Sequence, residues 1–463
     1  MTGVPRARGL VGAILWSGPS ITSLASRLSL PKSFRYPRIE YLPQLPQLLP
    51  DHSIGKPLRA LRTIQLDRPT LVVNVNARRP AAALPALAKI YVYGYYGFGN
   101  VGDDLLLAGL VRHIRSIAPR ARFVVRSMED VPALVAEEGI SFNGQEKILL
   151  QRGRSKVDRL VAYLRACWKS LRGCSLLVFG GGTLFHARSG SIVNLVLIAI
   201  IALMARQRGA RIVALGVGVG PLPGHWPRQL MSLLLRLADD FCVRDSTSLE
   251  NCRGLACPEK VRLTGDIVYS MLLTRAAGHE VTFPKRIVGV TIAASDIGKE
   301  VDRFPDFMAG FATAIATLLA SGWKIRLLSF QELAWGEMRI SDSLLFRRVL
   351  ENLVGEIELV RVSSFPDQLV RQFEDVDLVI GMRFHGHVIA SMLGKPFVGV
   401  GRDAKVNDLC NYFGMPFLPM QDVTADNLMS AVKQAYAMSI DSVKLSHLRE
   451  EAMKNFSQLG KML

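Results

Sequence analysis

What constrains this chain most is an alternation that runs twice. From Lys89 onward, short apolar runs of strand character alternate with helical stretches. The runs are KIYVYGYY, ARFVVRS, SLLVFG, RIVALGVG, DDFCVRD and KVRLTGDIV; the helical stretches cover Leu105–Ala118, Val157–Leu171, Ile192–Arg208 and Trp226–Ala238. A second series opens at RIVGVTIA and continues through WKIRLLSF, EIELVRV, DVDLVIG and KPFVGVG. Between the two lies LTRAAGHEVTFPKR, Leu273–Arg286, a stretch of linker composition. Apolar strands alternating with helices build parallel sheets covered on both faces.

Two such series predict two doubly wound, Rossmann-like α/β domains facing each other across a cleft, a glycosyltransferase-B-like arrangement. We place the first domain at 87–280, the second at 286–425 and a helical tail at 426–463. The tail is expected to cross back onto the first domain, as in the wider architecture. Residues 1–86 form an extension, proline-rich in part (YPRIEYLPQLPQLLP, Tyr36–Pro50). Ligands of such sheets bind beyond the carboxyl ends of the strands, so the residues just past each strand carry the functional argument.

Four glycines crowd the first of these ends, GYYGFGNVGDD, Gly94–Asp104. Bare backbone between a strand and a helix lets N–H groups approach an anion, and the helix start adds partial positive charge. The spacing is neither GxGxxG nor GxxxxGK[ST], which excludes the dinucleotide and P-loop readings. Gly97, Asn100 and Gly102 are candidate substrate contacts. Of Asp103 and Asp104, one is expected to cap the helix and the other to face the cleft. Further strand ends bring Gly181, Gly182 and Thr183 (FGGGTLF), His186, the turn GVGVGPL, Arg244 (CVRDSTS) and Asp266 (LTGDIVYS). In the second series Arg383, His385 and His387 follow DLVIG, and Arg402, Asp403 and Lys405 follow the next strand. Arginine offers a planar fork and lysine a point charge for phosphate or carboxylate, and histidine moves protons near neutral pH.

Charge agrees with an anionic partner. The chain has 57 Lys and Arg against 39 Asp and Glu, a net charge of +18. The basic residues are spread without clusters or aromatic interleaving, so nucleic acid is not the expected partner; a small anion and an anionic membrane surface are. Six cysteines show no CxxC or His/Cys zinc spacing, so they read as reduced core residues of a cytoplasmic protein, and no metal site is expected. The apolar run Ile192–Ala205 is shorter than the ~20 residues a spanning helix needs and reads as a core helix. Met1–Ser26 imitates a signal peptide only faintly and reads as an extension or surface-binding segment.

Taken in order, GYYGFGNVGDD, FGGGTLF, GVGVGPL, VRDSTSLE and MRFHGHVIASMLGKPFVGV with DAKV resemble the polysaccharide pyruvyl transferase family, over about Lys89–Met415. The resemblance implies transfer of a pyruvyl group from phosphoenolpyruvate to a sugar of a cell-envelope or exopolysaccharide glycan, soluble or lipid-linked, at the cytoplasmic side of the membrane. A cyclic ketal forms and phosphate leaves; phosphoenolpyruvate is a donor substrate and no cofactor is implied. Arg383 and Lys405 are then the expected anion clamp, with Arg244 and Arg402 as further contacts. His385 is the expected general acid. Asp103, Asp104 and His186 are candidate bases, Asp103 being the catalytic choice. Gly386 and His387 depart from the apolar residues usual there, and His387 is either a second proton carrier or a surface histidine. The alternatives are a glycosyltransferase of the same architecture that uses a nucleotide-sugar, and a non-catalytic sugar-phosphate-binding protein.

Overall fold

The computed structural model describes residues 88–462, apart from 152, 154, 188–190, 272, 274–284, 295–304, 336–337 and 351–352. The N-terminal extension and most of the expected linker lie outside the described residues.

Two parallel sheets organise the chain. The first contains β1 (Lys89–Tyr96), β2 (Arg122–Ser127), β3 (Ile140–Phe142), β4 (Leu176–Gly180), β5 (Thr183–Phe185), β6 (Arg211–Val219), β7 (Asp240–Val243) and β8 (Val261–Leu263). Its order is β3-β2-β1-β4-β6-β7-β8, with β5 paired to β6. The second contains β9 (Ile287–Thr291), β10 (Lys324–Ser329), β13 (Ile357–Arg361), β14 (Leu378–Gly381), β15 (Phe397–Gly401) and β16 (Phe417–Pro419), in the order β13-β10-β9-β14-β15-β16. Between β10 and β13 a hairpin, β11 (Glu332–Trp335) and β12 (Met338–Ser341), stands apart from the sheet. Each sheet runs outward in both directions from its first strand, so the strand order reverses between β1 and β4 and again between β9 and β14. Those reversals are where doubly wound sheets open a ligand crevice.

The elements form for ordinary reasons. Central strands such as β4 and β9 are buried along their whole length, which matches their unbroken apolar sequence. The helix Val193–Gln207 buries Leu195, Ile198, Ile201 and Ala202 among the first domain's core residues; no helix of the described residues is long and apolar enough to cross a membrane. One apolar core lies on the outer face of each sheet. A third is shared: Leu105, Leu110 and Ile267 of the first domain join one cluster with Leu328, Phe373 and Val388 of the second.

The chain's end returns across the junction. The helix Ala425–Tyr436 packs on the second domain, and the helix Ser442–Met453 leads back to the first. There Asn455, fully buried, donates to Gly265 O at 2.9 Å and accepts from Thr264 Oγ1 at 2.8 Å.

Candidate active site

The glycine turn after β1 does something other than cradle an anion. The helix it feeds begins at Val101, four residues before the expected start, and its N-cap is Asn100, whose side chain accepts from Gly102 N. Neither Asp103 nor Asp104 is the cap. Val101 N donates to Phe330 O at 2.9 Å, and Glu332 N donates to Gly99 O at 3.0 Å, so the turn pairs as a short antiparallel bridge with the second domain. Gly99 has φ +64°, and a Cβ there would overlap the Glu332 carbonyl oxygen. Gly97 lies with equal closeness on the Glu129 backbone, and its N–H is taken by Asp104 Oδ1 at 3.1 Å. The N–H groups expected to meet a ligand at Gly97 and Gly102 are thus bonded within the protein. Asp104 is buried with them rather than facing the cleft, and burial pushes its carboxyl up to about 7 against the Gly97 bond.

Asp103, one residue earlier, takes the open side. Its Oδ2 accepts from Asn100 Nδ2 at 2.7 Å, and Gly182 is packed so close that a Cβ there would lie 3.2 Å from Asp103 Oδ1. Desolvation raises its pKa, while His385, Arg244, Lys405 and Asn100 work in the opposite direction. Those three basic groups come from three different strand ends. Arg244, just past β7, is buried; it donates to Asp266 Oδ2 at 3.2 Å and to Thr183 Oγ1 at 3.1 Å, and Asp245 lies 3.4 Å from its Nε. That Nε has no hydrogen-bond partner. Lys405 pairs with Asp403 at 3.3 Å, and its ammonium and the Arg244 guanidinium lie 5.8 and 5.6 Å from the Phe384 ring.

His385 crosses from the second domain into the first. Its Nε2 stands 3.6 Å from Asp266 Oδ2 and, though buried, has no hydrogen-bond partner. Its Nδ1 sits over Gly102, where any Cβ would overlap the ring. Burial alone would raise the pKa of Asp266; His385, Arg244 and the Val268 amide outweigh it and hold the carboxyl at about 2.

Arg383 departs from the expected clamp. Its Nε and Nη2 bind Asp342 at 3.0 and 2.5 Å, and Nη2 also reaches Gln331 Oε1 at 3.1 Å. Asp342 is wholly buried and accepts in addition from the amides of Ala294, Phe330 and Gln331. Two edges of the fork are therefore occupied by the protein. His387 is neither a surface group nor placed to carry protons: it is fully buried, with Nδ1 against Arg383 O and Nε2 against Val398 O, and burial lowers its pKa. Arg402 is exposed at the start of its loop. Gly181 donates to Leu215 O. Asp342 and Gln331 went unread in the sequence because their partners are remote along the chain; LTGDIVYS had signalled Asp266 by its place past a strand. The six cysteines are free thiols, five of them buried. Among the described residues no group of three or more His, Cys, Asp or Glu side chains is arranged to hold a metal ion.

Fold and strand-end residues together define a two-domain α/β architecture of the glycosyltransferase-B type. Structures with this architecture resemble it at low identity. A UDP-GlcNAc 2-epimerase from Methanocaldococcus jannaschii aligns at TM-score 0.53 and 10% identity, over 81% of this chain and 99% of that one. A protein from Listeria monocytogenes assigned as a UDP-N-acetylglucosamine 2-epimerase aligns at 0.51 and 12%, over 80% and 94%. At such identities the likeness is one of fold alone. No curated protein matches the sequence significantly. Residues 100–404 match the polysaccharide pyruvyl transferase family, and the chain belongs to that family. Membership makes it a transferase and implies a saccharide acceptor.

Proposed function

We propose that the protein transfers a pyruvyl group from phosphoenolpyruvate to a saccharide of a cell-envelope or exopolysaccharide glycan, forming a cyclic ketal and releasing phosphate. The observation that carries this reading is the gathering of Arg244, Lys405 and His385, from three different strand ends, around Asp103. A donor with a phosphate and a carboxylate needs two cationic contacts, and Arg244 and Lys405 are the groups we assign to them. Arg383 instead fixes the loop beside the site through Asp342.

The chemistry follows from these groups. Protonation of the donor's methylene carbon uses the C=C electron pair to form the new C–H bond and leaves an oxocarbenium-like carbon. His385 is the acid. An acceptor hydroxyl attacks that carbon and Asp103 takes its proton; a second hydroxyl then displaces phosphate, the C–O bond to phosphate breaking with its electron pair on the leaving oxygen and the hydroxyl's proton passing to His385, left neutral by the first step. A carboxyl whose pKa is raised by burial is a stronger base than an ordinary carboxylate. We place the reaction at the cytoplasmic side of the membrane, where the net charge of +18 favours an anionic surface and a lipid-linked acceptor.

Ligand binding to the folded state raises the unfolding midpoint, so the test needs no acceptor. Phosphoenolpyruvate is expected to raise the midpoint of the wild type and not of Arg244→Ala. A rise with nucleoside diphosphates alone would move the assignment to a nucleotide-sugar transferase. Silence from both, in a protein that also releases no phosphate with acceptor glycans, would remove the donor assignment.

A further inference from the structure

Asp266 sits at the N-cap of the short turn Ile267–Ser270, and each of its oxygens has a separate task. Oδ1 accepts from Val268 N at 3.0 Å. Oδ2 accepts from Arg244 Nη1 at 3.2 Å and faces His385 Nε2 at 3.6 Å. Asp266 is buried, so its charge acts through little water. The imidazole belongs to the opposite domain and is caught between this carboxylate and the bare backbone of Gly102. Asp103 on the first helix also faces this imidazole, Arg244 past β7 shares Asp266 with it, and Lys405 on the helix Ala404–Phe413 acts on Asp103. Among these, the acid nearest the unpartnered Nε2 is Asp266.

We infer that Asp266 is the positioning residue of His385: it holds a proton on Nε2 and thereby leaves Nδ1, above Gly102, as the nitrogen that gives up the reacting proton. This rests on the reading of His385 as the general acid. In the transfer the Nδ1–H bond breaks, its electron pair stays on nitrogen, and the Nε2–H bond remains. Two further observations agree. The 3.6 Å gap is slightly longer than a hydrogen bond, as catalytic contacts often are before substrate arrives. Position 102 has no side chain, and any Cβ would cover the nitrogen that must stay open. The acid and its positioning carboxylate lie on different domains, so the dyad forms only while the domains are together.

The test reads the tautomer directly. Full-length protein labelled with 15N-histidine shows eight imidazoles, and the His385 signals are those missing in His385→Gln. The expected result is that neutral His385 carries its proton on Nε2 in the wild type. In Asp266→Asn, with Oδ1 still on Val268 N, the amide NH2 replaces Oδ2, and the proton is expected to move to Nδ1. Turnover with phosphoenolpyruvate should then fall about a hundredfold or more, with the alkaline limb of the pH–rate profile displaced to lower pH. A wild-type His385 with its proton on Nδ1, or a spectrum unchanged by Asp266→Asn, overturns the inference. If Asp266→Asn does not fold, the wild-type tautomer decides alone. A protein that shows the Nε2–H tautomer but no phosphoenolpyruvate-dependent phosphate release keeps the dyad and loses the donor assignment, so the two failures are distinguishable.

Discussion

Arg244 and Arg383 invite comparison, because each follows a sheet strand closely and each meets a buried aspartate. Their surroundings differ in one respect. Asp342 is saturated: three backbone amides and two guanidinium nitrogens converge on it, and it organises the loop that reaches the first domain. Asp266 and Arg244 are held by fewer and longer contacts: Asp245 lies 3.4 Å from Arg244 Nε, and Asp266 Oδ2 faces the His385 imidazole at 3.6 Å. The same arrangement of residue types serves as scaffold on one side of the cleft and as candidate ligand site on the other. What separates them is how many short hydrogen bonds converge on the aspartate, a property of the assembled structure.

The largest effect that would sharpen this contrast is at Asp342. Asp342→Ala leaves Arg383 and three buried amides without their acceptor, and should destabilise by about 3–5 kcal/mol; denaturant unfolding measures it. Arg244→Gln should instead leave the denaturation midpoint within about 1–2 kcal/mol of the wild type and abolish the thermal response to phosphoenolpyruvate. If Arg244→Gln unfolds as readily as Asp342→Ala, the two arginines are both scaffold and the distinction fails. Gly99→Ala strains a φ of +64° and drives a Cβ into Glu332 O, so a loss of about 1–3 kcal/mol is expected, together with easier proteolysis between the domains. An unchanged protease pattern would show that the bridge is not what joins them.

The smallest effect concerns Asp104. Its folded pKa of about 7 lies above the unfolded value of about 3.9. The folded state therefore binds the proton more tightly, and the stability this contributes is full below about pH 4 and lost as pH rises through about 7. Asp104→Asn has no such loss. Its stability relative to the wild type should grow by about 1 kcal/mol between pH 6.5 and pH 8; a constant difference would mean that Asp104 stays charged throughout.

Much of the fold was legible because fully buried parallel strands have unmistakable sequences. KIYVYGYY is β1 to the residue, and the series break at the linker separates the two sheets. The short strands β3, β5 and β16 carry too few residues to show a period, and the β11–β12 hairpin was passed over between two stronger signals. The helix start at Val101 was missed because Gly102 and the paired acids look like turn, although Asn100 is an ordinary cap. In the site, strand-end position located Asp103, Thr183, Arg244, His385 and Lys405. It could not tell which arginine is already satisfied, since Asp342 is 41 residues from Arg383 in sequence. Nor could it show that the glycines of the first turn serve a contact between domains.

The return of the chain end to the first domain sets an order of events during synthesis. Thr264 and Gly265 are bonded to Asn455, and Arg211 reaches Met462 O at 2.7 Å. A ribosome that has released the whole first sheet has not yet delivered the residues that close it. The first domain therefore waits, incomplete, while the second is made, and is completed only by a segment that follows it.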